Sequence, residues 1–180
     1  MDKPAVPHQI RKVFEGRVFS VVIESITTPK GGRMDVEIVR HPGSVVLIPL
    51  TANGEVILVR QYRHAIGRSA WELPAGTLKP NEEPKRAAAR ECHEEIGLLP
   101  THLEELGSYY PTPGYCDEEM VFYKATGLRE PGPDDPEAHQ DEDEDIEKQA
   151  FGLERIRSMI RSGEIVDMKT VAGMTLLGRV

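Results

Sequence analysis

Between Gly76 and Leu98 the chain reads GTLKPNEEPKRAAARECHEEIGL, and no other stretch constrains its fold so tightly. Asn81 is placed to cap a helix, Glu82 and Glu83 suit the positive end of a helix macrodipole, and Pro84 is tolerated in a first turn. KRAAAREC supplies strong helix formers, and Gly97 is a natural residue just past the helix end. At about 100° per residue, Ala88, Ala89, Cys92 and Ile96 share one arc. Glu91, Glu94 and Glu95 share the neighbouring arc, with Glu91 and Glu95 related as i and i+4. Such a helix needs an apolar surface to lie on, and it carries its carboxylates at the margin of that surface.

Strands supply the surface. GRVFSVVIESITT, DVEIVRH and SVVLIPLT are rich in Val, Ile and Thr, and LTANGEVILVRQY sets Asn53-Gly54 between two apolar runs, a hairpin signal. AWELPAG reads as a short strand closed by Pro74 and Gly76. Beyond the helix, LEELGSYY and EMVFYKATG read as strands around the loop PTPGYCDEE, and IEKQAFG as the last strand. GLERIRSMIRSGE places Leu153, Ile156, Met159 and Ile160 at helical spacing with Gly163 as its stop, and DMKTVAGMTLLGRV reads as a terminal helix. The sum is an α/β (α+β) domain, a mixed sheet with helices packed on it.

The 180 residues suit one domain with a core of its own, and 39% hydrophobic with 29% charged content is that of a globular chain. The longest apolar run, Val45 to Leu50, is too short to span a bilayer, and MDKPAVPHQI lacks the apolar core of a secretory signal. A cytoplasmic protein with no membrane partner is expected. Cys92 and Cys116 make no disulfide framework and are expected as reduced thiols.

The net charge of −8 is local. Nine of the 30 acids lie between Asp134 and Glu147 with no Lys or Arg among them, which leaves 21 acids against 22 bases elsewhere. No basic stripe points to nucleic acid.

The crowding of Glu91, Glu94 and Glu95 has two explanations. An exposed like-charge i,i+4 pair costs only about 0.2–0.5 kcal/mol, so a solvated acidic face is affordable, with Arg90 offsetting Glu94 and Arg86 offsetting Glu82. Alternatively, a hard divalent cation turns the repulsion into coordination by oxygen ligands. Spacing alone leaves both open.

Gly76, five residues, Glu82, seven residues, then Arg90-Glu91-Cys92-His93-Glu94-Glu95-Ile96-Gly97-Leu98 resembles the Nudix box at every fixed position. Cys92 stands at an apolar position, which a buried thiol can fill. The resemblance implies the Nudix fold, a mixed β-sheet sandwiched between α-helices, spanning 1–180 as a single domain. Within it, residues 1–43 form an N-terminal antiparallel β region and 44–180 the core. It also implies hydrolysis of a nucleoside diphosphate linked to another group, with Mg²⁺, or Mn²⁺ in its place, held by Glu91, Glu94 and Glu95 and by the carbonyl of Ala75. Arg90 is expected to orient the carboxylates, and Glu82 to support the loop–helix junction.

Further features resemble the ADP-ribose pyrophosphatase branch of that family. Pro113 stands fifteen residues past the box in YYPTPGYCDEE, VRQYR and WELPAG precede the box, and DEDEDIE follows it. Arg63 is implied to reach a substrate phosphate, and Glu72, Pro113 and Glu118 to line the substrate pocket. Glu142 in the acidic loop is implied as the base that activates water, with Glu144 as its alternate or a further metal ligand. The expected reaction converts ADP-ribose to AMP and ribose 5-phosphate. GDP-mannose is the rival substrate, and a Nudix-fold ligand sensor the rival class, which the intact Arg90, Glu91, Glu94 and Glu95 set argues against. Relatives in the branch pair through N-terminal strands, so a homodimer through the region from Phe14 to Thr28 is expected.

Overall fold

In the computed structural model of this chain, residues 6–135 and 146–178 are described, and the strand-rich sequence is shared between two units. One takes the chain up to Gly43 together with Tyr110–Glu119. The other takes Ser44–Tyr109 and the chain from Met120 onward.

The first unit is an antiparallel sheet of β1 (Gln9–Glu15), β2 (Ser20–Thr27) and β3 (Arg33–Arg40), in that order. β1 was not among the expected strands. QIRKVFE is exposed at every position, and its pairing with β2 is irregular between Lys12 and Phe14, so it has no clean two-residue alternation to read. Tyr110–Glu119 is tied to β3. The Val39 amide donates to the Tyr115 carbonyl at 2.8 Å, the Asp117 amide to the Val39 carbonyl at 3.1 Å, and Arg40 to Asp117 Oδ2 at 2.7 Å. Arg40 also pairs with the buried Glu24.

The second unit contains β4 (Ser44–Pro49), β5 (Val56–Arg63), β6 (Arg68–Glu72), β7 (Ala75–Thr77), β8 (Leu99–Tyr109), β9 (Met120–Arg129) and β10 (Glu147–Phe151). Its helices are α1 (Pro84–Ile96), α2 (Leu153–Ser162) and α3 (Met168–Leu177). One sheet runs β7-β4-β9-β8, with β4 parallel to β9 and the other pairs antiparallel; the second is the antiparallel β10-β5-β6. Every residue of β4 is buried, as a strand's must be when both faces of its sheet are covered. Val45 and Leu47 pack with Ala87, Ala88, Cys92 and Ile96 of α1. Val46 and Ile48 pack in a second cluster with Ile156 and Met159 of α2 and Leu176 of α3. Each fully buried side chain of this size contributes about 1.5–3 kcal/mol, and the alternation of β4 lets one strand anchor both layers. This is the mixed, helix-covered sheet expected of the sequence.

Three local expectations are corrected. The turn at Asn53-Gly54 forms, with Gly54 at φ 78°, but β4 and β5 go to different sheets and keep only the Leu50–Val56 bridge. Gly76 lies inside β7 rather than closing a strand. Asn81 does not cap α1: it sits at φ 60°, and the N-cap is Glu83, extended and without a side-chain cap bond. Pro84 explains the shift, because the residue before a proline is excluded from helical geometry, so the helix starts at the proline itself. Among the described residues no helix is long and apolar enough to cross a membrane.

Candidate active site

The carboxylates of α1 lie where its phase put them. Glu91 and Glu95 are buried with Ala87, Ala88, Cys92 and Ile96, and Glu94 is half-buried. β7 runs beside them. A Cβ built on Gly76 would stand 1.8 Å from Glu91 Oε1, so the Glu91 carboxylate occupies the space that any other residue at 76 would fill. Glu95 Oε2 accepts the Ala75 amide at 3.2 Å. Burial pushes the Glu91 carboxyl above its ordinary value, even with Arg90 beside it.

Arg90 gathers the rest. Its Nη1 donates at 2.6 Å to both Glu91 Oε1 and Glu94 Oε2, while Nε and Nη2 grip Glu82 at 2.8 and 2.9 Å. Arg90, not Arg86, is therefore the partner of Glu82. Glu82 also accepts the Lys79 amide at 3.0 Å and so closes the turn before α1. The Arg90 hydrogen bonds outweigh the effect of burial and hold the Glu82 carboxyl down at about 2. One guanidinium thus offsets three carboxylates, Glu91 and Glu94 on the helix and Glu82 in the turn before it.

Among the described residues no three His, Cys, Asp or Glu side chains are already gathered as a ligand set, and Arg90 accounts for the engagement of Glu91 and Glu94. The donor chemistry nevertheless fits a hard divalent cation. Glu91 and Glu95 are acidic oxygen donors taken out of water, and they face a strand whose Gly76 carries no side chain to block approach.

A second cluster lines a cavity of about 510 Å³, whose walls include Arg63, Ile66, Arg68, Glu72, Met168 and Lys169. Arg63 ends β5, and Glu72 ends β6 three residues before Ala75. Arg63 Nε and Nη2 each donate to one Glu72 oxygen at 2.8 Å, a bidentate pair. Lys169 of α3 donates to the same carboxylate. Burial alone would raise the Glu72 carboxyl, but Arg63 and Lys169 together hold it below its ordinary value. Ala75, whose amide Glu95 accepts, follows Glu72 by three residues, and the charge of Glu95 acts on Arg63.

Pro113 and Glu118 belong to the first unit. Pro113 sits in a turn closed by the Tyr115 and Cys116 amides on the Thr112 carbonyl, at 3.2 and 3.0 Å. Glu118 is half-buried, with Oε1 3.8 Å from His41 Nδ1. Glu142 and Glu144 lie outside the described residues. Lys169 and Thr170 escaped the sequence reading. Both meet the Glu72–Leu73 segment across 97 residues of chain, Thr170 by accepting the Leu73 amide at 2.8 Å. The one local signal was a lysine in the first turn of a helix, where an acid is the usual choice.

Comparison with known proteins agrees with this geometry. The NUDIX domain family matches residues 40–167. The ADP-ribose pyrophosphatase of Mycobacterium tuberculosis is 38% identical over 160 residues, which cover 88% of this chain and 76% of that protein. The ADP-ribose pyrophosphatase of Bacillus subtilis is 33% identical over 166 residues, or 92% of this chain and 88% of that one. A solved structure described as an ADP compounds hydrolase superposes with a TM-score of 0.82 at 21% identity, over 98% of this chain and 94% of that one.

Proposed function

The chain belongs to the Nudix hydrolase family, and we propose that within it this enzyme cleaves the diphosphate of ADP-ribose to give AMP and ribose 5-phosphate. The observation that carries the reading is the burial of the Glu91 and Glu95 carboxylates against β7, whose Ala75 follows by three residues the Glu72 that holds Arg63 at the cavity wall of the same unit. The activity named for the two relatives supports the choice of substrate.

Glu91, Glu95 and the Ala75 carbonyl would hold the divalent cation, with Glu94 joining them. When bound, Mg²⁺, or Mn²⁺ in its place, supplies neutralisation of the diphosphate and a lowered pKa for the attacking water. Arg90 keeps the carboxylates oriented through its shared Nη1. Arg63 offers a planar guanidinium to a phosphate oxygen, and Glu72 fixes its plane. Glu142, with Glu144 as its alternate, takes the proton of the water as a new P–O bond forms and the bridging P–O bond breaks. Such a base is worth about 10²–10⁴-fold. Pro113 and Glu118 are assigned to the substrate on resemblance. The exposed Ile10, Val13 and Phe14 of β1, with Phe19 beside Phe14, support a homodimer through the first unit, which light scattering would test.

The test is a turnover panel of ADP-ribose, GDP-mannose and dinucleotides with Mg²⁺, with products separated by chromatography. ADP-ribose should give AMP and ribose 5-phosphate at the highest kcat/KM. Preference for GDP-mannose would move the substrate, and ligand-induced thermal stabilisation without product would make the chain a sensor. Glu91→Gln or Glu95→Gln at near-normal Mg²⁺-dependent turnover would refute the metal assignment.

A further inference from the structure

The cavity wall holds one buried cation that the reading above leaves without a role. Lys169 is the second residue of α3, and its side chain is only 9% exposed. An ammonium there meets the positive end of the helix macrodipole, the wrong sign for the position. Its burial is costly unless it is paired. Two acids offset it: Glu72, and Asp167, whose Oδ1 lies 3.2 Å away. Asp167 is itself fixed as the α3 N-cap, accepting the Thr170 amide at 3.0 Å and the Thr170 hydroxyl at 2.6 Å.

Exposure separates the members of this cluster. The Glu72 and Lys169 side chains are 3% and 9% exposed, whereas Arg63 is 43% exposed. Of the three, Arg63 is therefore the one open to a ligand. Glu72 takes it through Nε and Nη2, so among the described residues Nη1 and the second Nη2 hydrogen remain for an anion. A carboxylate held by Arg63 alone can turn with the guanidinium, but a second cation on Oε2 pins it. Lys169 also offsets the negative charge of Glu72, which would otherwise oppose a diphosphate. The same helix turn holds the Leu73 amide through Thr170 Oγ1, so it anchors both the side chain and the backbone of this segment.

We propose that Lys169 is a positioning residue for Arg63: by sharing the Glu72 carboxylate it fixes the guanidinium that meets a phosphate oxygen of the nucleoside diphosphate substrate. This rests on the assignment of Arg63 to the substrate made above. In this role Lys169 acts on the substrate through Glu72 and Arg63, so its signature is energetic coupling to Arg63.

The experiment compares Lys169→Met, Lys169→Arg, Arg63→Ala and the Arg63→Ala/Lys169→Met double variant in the full chain. KM and kcat for ADP-ribose are measured with Mg²⁺, and the arginine Nε–H resonances are recorded in ¹⁵N spectra. Lys169→Met should raise KM about tenfold while kcat changes less than about threefold, and Lys169→Arg should recover most of the loss. In the Arg63→Ala background Lys169→Met should add nothing further, because its route to the substrate is gone. The Arg63 Nε–H resonance, identified by its loss in Arg63→Ala, should be protected from exchange in the wild type and in Lys169→Arg, and unprotected in Lys169→Met. A Lys169→Met cost that persists undiminished without Arg63, or a resonance that stays protected in Lys169→Met, overturns the proposal. Arg63→Ala with wild-type KM refutes the substrate assignment by itself, and the resonance then decides the positioning separately. Should Lys169→Met not fold, Lys169→Gln, which keeps a donor without the charge, takes its place with the same expected directions.

Discussion

Gly76 and Glu91 compete for one volume: a Cβ at position 76 would fall 1.8 Å from Oε1 and 1.9 Å from Cδ of the glutamate. The missing side chain is what lets a carboxylate of α1 lie against β7. Gly76→Ala must therefore move Glu91, whose other neighbours, Arg90 and the packed face of α1, resist displacement. Overpacking of this kind costs about 1–3 kcal/mol, which a domain of this size can survive. Misplacement of a catalytic group by about 1 Å costs on the order of 10²-fold in rate. The expectation is a folded Gly76→Ala protein with turnover down about a hundredfold at saturating Mg²⁺. Activity within fivefold of wild type would show that this contact does not set the carboxylate.

Glu91 itself should reveal a conflict between stability and function. Burial raises its carboxyl pKa in the folded chain. A carboxyl shifted that way favours folding while protonated, below its unfolded pKa, and loses that contribution as pH rises through the folded value. At neutral pH its charge is a cost. Glu91→Gln should thus leave the chelator-treated protein at least as stable as wild type in urea, since Arg90 keeps Glu82 and Glu94. Under the proposed metal assignment Mg²⁺ should raise the Tm of the wild type but not of this variant, since a metal at 100 times its Kd contributes about 2.7 kcal/mol. A large stability loss without metal would contradict this.

The box helix was legible because its determinants are local: the phase of Ala88, Cys92 and Ile96 buried one face and brought Glu91 and Glu95 to its margin. β4, with its unbroken apolar run, was legible for the same reason. What escaped was set by pairing. Nothing around Asn53-Gly54 says that β4 and β5 will enter different sheets, and β1 is exposed throughout, without an alternation to betray it. The meeting of Lys169 with Glu72 spans 97 residues and depends on where α3 packs. Arg90 was expected to balance Glu94 by helix spacing, but its grip on Glu82 comes from the turn at Lys79, which periodicity cannot describe.

Glu82 should make the junction before α1 sensitive to acid. Its carboxyl is held at about 2, against an ordinary 4.5, by the Arg90 hydrogen bonds first and the Lys79 amide after them, with burial opposing. A depressed folded pKa gives stability that is present above the unfolded value and lost as pH falls from 4.5 toward 2. Hydrogen bonds to charged partners are worth about 1.5–3 kcal/mol. Glu82→Gln should therefore cost about that much at pH 7, and the gap to wild type should shrink across this window. Denaturant curves at a series of pH values would check it; a gap that stays constant would mean that packing, not charge, holds the junction.

Lys148 should govern the far end of the same helix. It lies in β10, and its Nζ donates to the Ile96 carbonyl at 2.6 Å, one residue past Glu95. That carbonyl belongs to the last turn of α1, whose orphan acceptors and negative dipole end favour a cation. Gly97 completes the stop at φ 71°, its amide bonded to the His93 carbonyl at 2.9 Å. Lys148→Met keeps most of the aliphatic stem and removes only the charged donor, so it should cost about 1–2 kcal/mol, between a dipole contact and a full charged hydrogen bond. The loss should be uneven. Glu95 sits in the turn that Lys148 secures, while Glu91 lies a turn earlier and is further held by Arg90. Hydrogen exchange should accordingly accelerate at Gly97 and through the last turn before it reaches Glu91. Uniform acceleration along α1 would show instead that Lys148 stabilises the whole helix through β10.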